Sequence, residues 1–187
     1  MKLWLVLGCL AAIASGEPDV RQASWGMSRA QVMAAEAGRP SEVRDDRLRY
    51  DTVKVGGLEA SLWYFFQDGK LVRARYVFTA EHADPGDYIA DFQKVHPLLG
   101  AHYGEPAVDR AMWGEEPRYQ TESKRYLDSD RATPAEIFAS DKNIGLEVAE
   151  GRLTLYTQWR GLRSKIVHIL SGHDLQITHQ IEFSPHD

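Results

Sequence analysis

Histidine is the residue type in this chain best suited to binding a metal or moving a proton. Of the seven histidines, His168, His173 and His179 gather near the C-terminal end. A metal centre needs three or four converging ligands, and neither a His-x-His nor a His-x-x-x-His spacing occurs. A hairpin folded about Gly172 and His173 would set His168 near Ile177 and away from His179. No metal and no cofactor is expected. The acidic pairs Asp45-Asp46 and Glu115-Glu116 could do acid–base work only if tertiary contacts supplied partners and shifted a pKa, and they read more simply as solvated loop charges. The chain has no nucleophile elbow, phosphate loop, zinc-protease motif or cysteine–histidine arrangement. No catalytic residue is assigned, and a non-enzymatic role is expected.

The aromatic residues offer recognition in place of reaction chemistry. Trp63-Tyr64-Phe65-Phe66 is the densest aromatic stretch, and successive residues of a strand face opposite sides, so it loads both faces of a sheet. One face must pack on a helix. The other is either covered core or an exposed platform of the Trp and Tyr residues that anchor protein interfaces. Trp159 and Tyr156 pose the same question further along. The candidate partner-binding residues are Trp63, Tyr64, Tyr76, Trp113 and Trp159, with Trp113 adding selectivity. A small-ligand-binding protein, or a hydrolase whose residues converge only in three dimensions, is the alternative. Pocket shape separates these readings, because a small-molecule site is a closed cavity and a protein-binding face is broad and shallow.

The elements that must position these residues are marked by caps and turns. Ser28 with Gln31 forms a capping-box pattern and Met27 with Val32 a hydrophobic staple, so a helix starts at about Arg29 and stops at Gly38, with Pro40 preventing its continuation. Strands follow at Leu48–Val55, Leu58–Phe66 and Leu71–Phe78, separated by Gly56-Gly57 and Gln67-Asp68-Gly69-Lys70, which predicts an antiparallel meander. A second helix opens at Asp84-Pro85 and carries apolar residues at helical spacing from Ile89 to Tyr103. Pro97 should kink it, and Gly104-Glu105-Pro106 repeats the earlier stop signal. Strands recur at Gly151–Trp159, Leu162–Leu170 and Leu175–Phe183, with the last turn at Ser171–Asp174.

The expected fold class is α+β, as two tandem α-β-β-β units with an antiparallel sheet and helices packed on one face. The first unit spans 17–80 and the second 84–187. Within the second, 107–147 reads as an insertion that includes a charged stretch, Glu115 to Arg131, and a short capped helix at Thr133-Pro134-Ala135-Glu136.

A length of 187 residues and a hydrophobic content of 43% describe a folded chain able to bury a core, and exclude a disordered one. A net charge of −5 with both signs interspersed argues against a nucleic-acid partner. At the N-terminus Lys2 precedes an apolar run, Leu3 to Ala14, and small residues at Ala12, Ala14, Ser15 and Gly16. That pattern reads as a signal peptide over 1–16, too short to span a bilayer, with the mature chain beginning near Ser15 or Glu17. Cys9 is the only cysteine. It follows Val6-Leu7-Gly8, a degraded lipobox, so it is either a lipidation site or removed with the leader. In both cases the core must hold the fold without a disulfide.

Gly26-Met27-Ser28, Val32, Gly38-Arg39-Pro40, Leu48-Arg49-Tyr50, Leu62 to Phe66 and Asp68-Gly69-Lys70-Leu71 together resemble the module of the SmpA/OmlA (BamE-like) envelope lipoproteins over Trp25 to Phe78. Two such modules in tandem are similar to the arrangement of the β-lactamase inhibitor proteins. The resemblance implies a two-layer α/β unit whose open sheet face binds other proteins. It points to an exported bacterial protein of the periplasm or cell envelope whose partner is another envelope protein. No transmembrane span is expected, and membrane contact arises only if Cys9 is lipidated.

Overall fold

The computed structural model describes residues 17–114 and 143–186. The proposed leader with Cys9, the charged stretch Glu115 to Arg131 and the capped helix at Thr133 lie outside them.

Helix α1 spans Arg29–Ala35 and has the expected capping box: the Gln31 amide donates to Ser28 Oγ at 3.4 Å and the Ser28 amide to Gln31 Oε1 at 2.9 Å. It ends at Glu36, two residues before Gly38. A two-residue edge strand, β1 (Glu42–Val43), precedes β2 (Arg47–Val55), β3 (Leu58–Gln67) and β4 (Lys70–Phe78). Gly56 and Gly57 link β2 to β3 with φ of +59° and +84°, the paired positive values that a tight hairpin demands and that glycine adopts without steric cost. Helix α2 runs from Pro85 to Tyr103, capped by Asp84, whose Oδ1 accepts the Gly86 amide at 2.8 Å, and closed by Gly104.

Then come β5 (Val108–Trp113), a short helix α3 (Ile144–Ala149), β6 (Leu153–Arg160), β7 (Ser164–His173) and β8 (Gln176–Pro185). All eight strands of the described residues form one antiparallel sheet in the order β1-β2-β3-β4-β8-β7-β6-β5. The fold is α+β, and each expected three-stranded meander gains an edge strand. The expected insertion over 107–147 is therefore corrected at both ends, since residues 108–113 pair with β6 and 144–147 belong to α3. The period-2 signal of β5 was masked by Asp109, a polar residue on the core side whose Oδ1 accepts the Thr157 hydroxyl at 2.8 Å.

The last hairpin also differs from expectation. Its turn is Asp174-Leu175, at φ +50° and +64°, and His173 pairs with Gln176. Gly172 lies inside β7, where a Cβ would collide with the Val148 carbonyl and Ala149 of α3. It serves the close approach of a helix to a strand and not a turn.

One alternate set of strand positions meets the helices. Val32 of α1 and Val95 and Leu99 of α2 share a core with Leu48, Leu62, Tyr64, Trp159 and Ile166. Ile89 and Phe92 of α2 and Ile144 and Val148 of α3 pack with Leu153, Leu155 and Leu170. The other set of positions lies on the opposite face of the sheet. No helix of the described residues is long and apolar enough to cross a membrane.

Candidate functional site

Three of the five candidate anchors belong to the core. Tyr64 and Trp159 are 0% exposed and Tyr76 is 7% exposed. Tyr64 donates its hydroxyl to Glu36 Oε1 at 2.5 Å and Trp159 its indole N–H to the Gly104 carbonyl at 3.1 Å. Burial pushes the phenol pKa of Tyr64 and Tyr76 upward. Their assignment as surface anchors is corrected: the alternation that exposes Trp63 turns Tyr64 inward. Trp113 sits in β5, half-buried against the second core cluster. Trp63 alone of the five lies on the face opposite the helices, half-buried, its indole N–H donating to Ser61 Oγ at 3.1 Å.

Around Trp63 the structure assembles residues that the spacing did not single out. Phe65 follows it on the same face, its ring 6.4 Å away and within 11° of parallel. In register, Arg49 of β2 and Arg75 of β4 flank Trp63, and Arg47 and Arg73 flank Phe65. The guanidinium carbon of Arg49 lies 5.0 Å from the Trp63 ring centre and that of Arg73 4.3 Å from Phe65, close enough for cation–π attraction. The result is two rows across three strands, Arg-Trp-Arg and Arg-Phe-Arg.

Two β-bulges create these rows. Between Val53 and Tyr50 the β2–β3 register slips by one residue, and between Phe66 and Phe65 the β3–β4 register slips likewise. A one-residue slip exchanges the faces of a strand. Without the first bulge Arg49 would stand opposite Tyr64, on the core side, and without the second so would Arg73. The first bulge holds Thr52 at φ +57°, a strained conformation for a β-branched residue.

The charge on this face contrasts with the chain's net charge of −5. Along the sheet the same alternate positions include Arg110 on β5, Arg160 on β6 and Lys165 on β7. The acidic groups meeting the arginines are Glu182, which accepts from Arg75 Nη2 at 2.6 Å, Asp51, which accepts from Arg49 Nε at 2.6 Å, Glu42, which accepts from Arg47 Nε at 2.9 Å, and Asp46, 3.7 Å from Arg47 Nη1. These bridges leave the guanidinium side chains about a third exposed, from 30% at Arg75 to 41% at Arg73. They hold the side chains in place over the rings.

Two of the clefts among the described residues are half-open and polar. One of ≈570 Å³ lies beside Arg21, Arg39, Thr52 and Lys54, and another of ≈540 Å³ lies on the Arg160 and Lys165 end of the basic face. Neither is a closed apolar chamber of the sort that envelops a small ligand. No cluster of three metal-ligating side chains occurs among the described residues. His168 and His179, expected apart, meet with their Nε2 atoms 2.8 Å from each other, because the turn at Asp174-Leu175 pairs His168 with Ile181 and not with Ile177. No protein-family model, curated protein or solved structure matches the chain.

Proposed function

We propose that the chain is a non-enzymatic protein-binding module, adaptor-like or inhibitor-like, of the bacterial cell envelope. It docks an acidic partner protein on the sheet face opposite its helices. The observation that carries this reading is the pair of Arg-Trp-Arg and Arg-Phe-Arg rows. Trp and Arg are the residues that most often dominate interface energetics, and a basic face on an acidic protein orients an acidic partner and speeds its approach. Trp63 remains from the anchors expected from sequence, and Phe65, Arg47, Arg49, Arg73 and Arg75 join it.

The architecture supports a tandem reading as well. The strand order sets β1 to β4 against β8 to β5, with β4 and β8 at the middle. Each run of four strands is preceded by an N-capped helix. This agrees with two units over 17–80 and 84–187, and with the resemblance of the first to BamE-like modules and of the pair to β-lactamase inhibitor proteins. Export through the 1–16 leader remains part of the proposal, with Cys9 either lipidated as an anchor or removed with the leader.

Site-specific photo-cross-linking tests it in the source cells. A photoreactive residue at Phe65 should capture one protein reproducibly through an Asp- and Glu-rich segment, while the same residue at Met33, on the helix side, should not. Equal capture from both positions would refute docking through the basic face.

A further inference from the structure

The helix-covered side of the sheet contains titratable groups that the docking face does not use. His168 and His179 are 0% and 3% exposed. With Nε2 atoms 2.8 Å apart, one neutral imidazole donates and the other accepts, and the Nδ1 of each is buried without a hydrogen-bond partner among the described residues. Aromatic rings hold the pair from two elements: Phe92 of α2 stacks on His168 at 4.0 Å and 7°, and Phe78 of β4 stacks on His179 at 4.0 Å and 20°.

The charged and titratable groups around the pair come from a few elements. From α2, His96 stands 6.2 Å from His168, ring centre to ring centre, with its Nδ1 3.5 Å from Thr157 Oγ1. From β5, Asp109 reaches the cluster only through its hydrogen bond with Thr157 of β6. Trp159 of β6 contributes an aromatic ring. Helix α3 contributes Ile144 and Val148 to the neighbouring core, and its Glu147 is paired with Arg152. Among the described residues, no carboxylate is in position to compensate a proton on either imidazole of the pair.

We propose that His168 and His179 form an acid-operated latch. Neutral, the pair seats α2 on β7 and β8 through Phe92; protonated, it forces α2 off the sheet. A charge here would be buried between aromatic faces beside a second histidine, with no anion to pair it. Burial, reinforced by His179 and His96, holds the His168 pKa well below its usual range, and burial pushes that of His179 down to about 3. The folded state thus refuses a proton that a released imidazole accepts near 6.5. Stability supplied by the pair is complete above about pH 6.5 and is lost progressively as pH falls below it, by up to roughly tenfold in the opening equilibrium per pH unit for each histidine.

Native-state hydrogen exchange from pH 7.5 to 4, corrected for the intrinsic rate, tests this directly. The α2 amides from Phe92 to Leu99 should lose protection below pH 6.5 while β2 to β4 keep theirs, and His168→Leu with His179→Leu should flatten that dependence. Uniform loss across the sheet, or an unchanged pH profile in the double variant, would overturn the latch. If the double variant does not fold, imidazole ¹⁵N shifts of the wild type decide. Two neutral rings at pH 6 are expected, and a protonated ring at that pH contradicts the proposal.

Discussion

The Tyr64 hydroxyl lies 2.5 Å from Glu36 Oε1, joining the central strand of the first meander to the C-cap of α1 inside the core. Glu36 is itself 6% exposed, and Arg21 Nε stands 3.4 Å from its other oxygen. A buried carboxylate is tolerated only when it is bonded and paired, so this contact fixes the position of α1 and the inward orientation of Tyr64. By the period of the strand it also fixes the outward orientation of Trp63 and Phe65.

Replacing Tyr64 with Phe removes that donor and leaves the carboxylate under-bonded. We expect a loss of about 2 kcal/mol, the scale of a hydrogen bond to a charged group, measured by urea denaturation. A loss under about 0.5 kcal/mol would mean that Arg21 and the Gln22 amide, 3.5 Å from Oε1, satisfy Glu36 without the phenol.

Gly172 tests the packing of α3. Its substitution by Ala drives a methyl group into the backbone of Val148 and Ala149, neither of which can rotate away. A loss of at least about 2 kcal/mol is expected, toward the upper part of the range for overpacking. Thermal or chemical unfolding reads the change.

At Thr52 the expected sign is the opposite. A left-handed conformation costs an L residue about 1–2 kcal/mol, and part of that returns as backbone entropy when glycine takes the place. Thr52→Gly should stabilise the protein by roughly 0.5–1 kcal/mol while the bulge, and the faces of Arg47 and Arg49, stay as they are. Deletion of Thr52 should instead turn both arginines toward the core and prevent folding, visible as loss of dispersed amide resonances.

Caps and glycine turns made most of the elements legible. Ser28, Asp84, Gly56 and Gly104 are local signals, and they marked both long helix starts and six of the strands. Side-chain faces were less legible because register is not local. The bulges at Thr52 and Val72 each add a residue to one strand, and nothing in Arg47, Arg49, Arg73 or Arg75 taken singly reveals which side of the sheet they reach. Gly172 looked like a turn because a glycine chosen for close approach and one chosen for a positive φ are the same letter. That ambiguity displaced the last hairpin and hid the contact between His168 and His179. Asp109 hid an edge strand in a similar way, since a polar residue bonded to Thr157 occupies a position where alternation expects an apolar one.

Salt should act on docking more than on the fold. A partner drawn by Arg47, Arg49, Arg73 and Arg75 associates more slowly as ionic strength rises from about 0.05 to 0.5 M, because exposed charges are screened over roughly 10 Å or less. The dissociation rate should change far less, and stopped-flow mixing separates the two.

The central claim is the location of the docking face, and the affinity of the captured partner for surface variants, measured by titration calorimetry, tests it most directly. Trp63→Ala and Arg73→Glu should each weaken binding by roughly 30-fold or more, the scale of an interface hot spot, and Met33→Glu on the helix side should leave it unchanged. Undiminished affinity in the first two variants, with binding lost in the third, would place the partner on the helices and contradict the account.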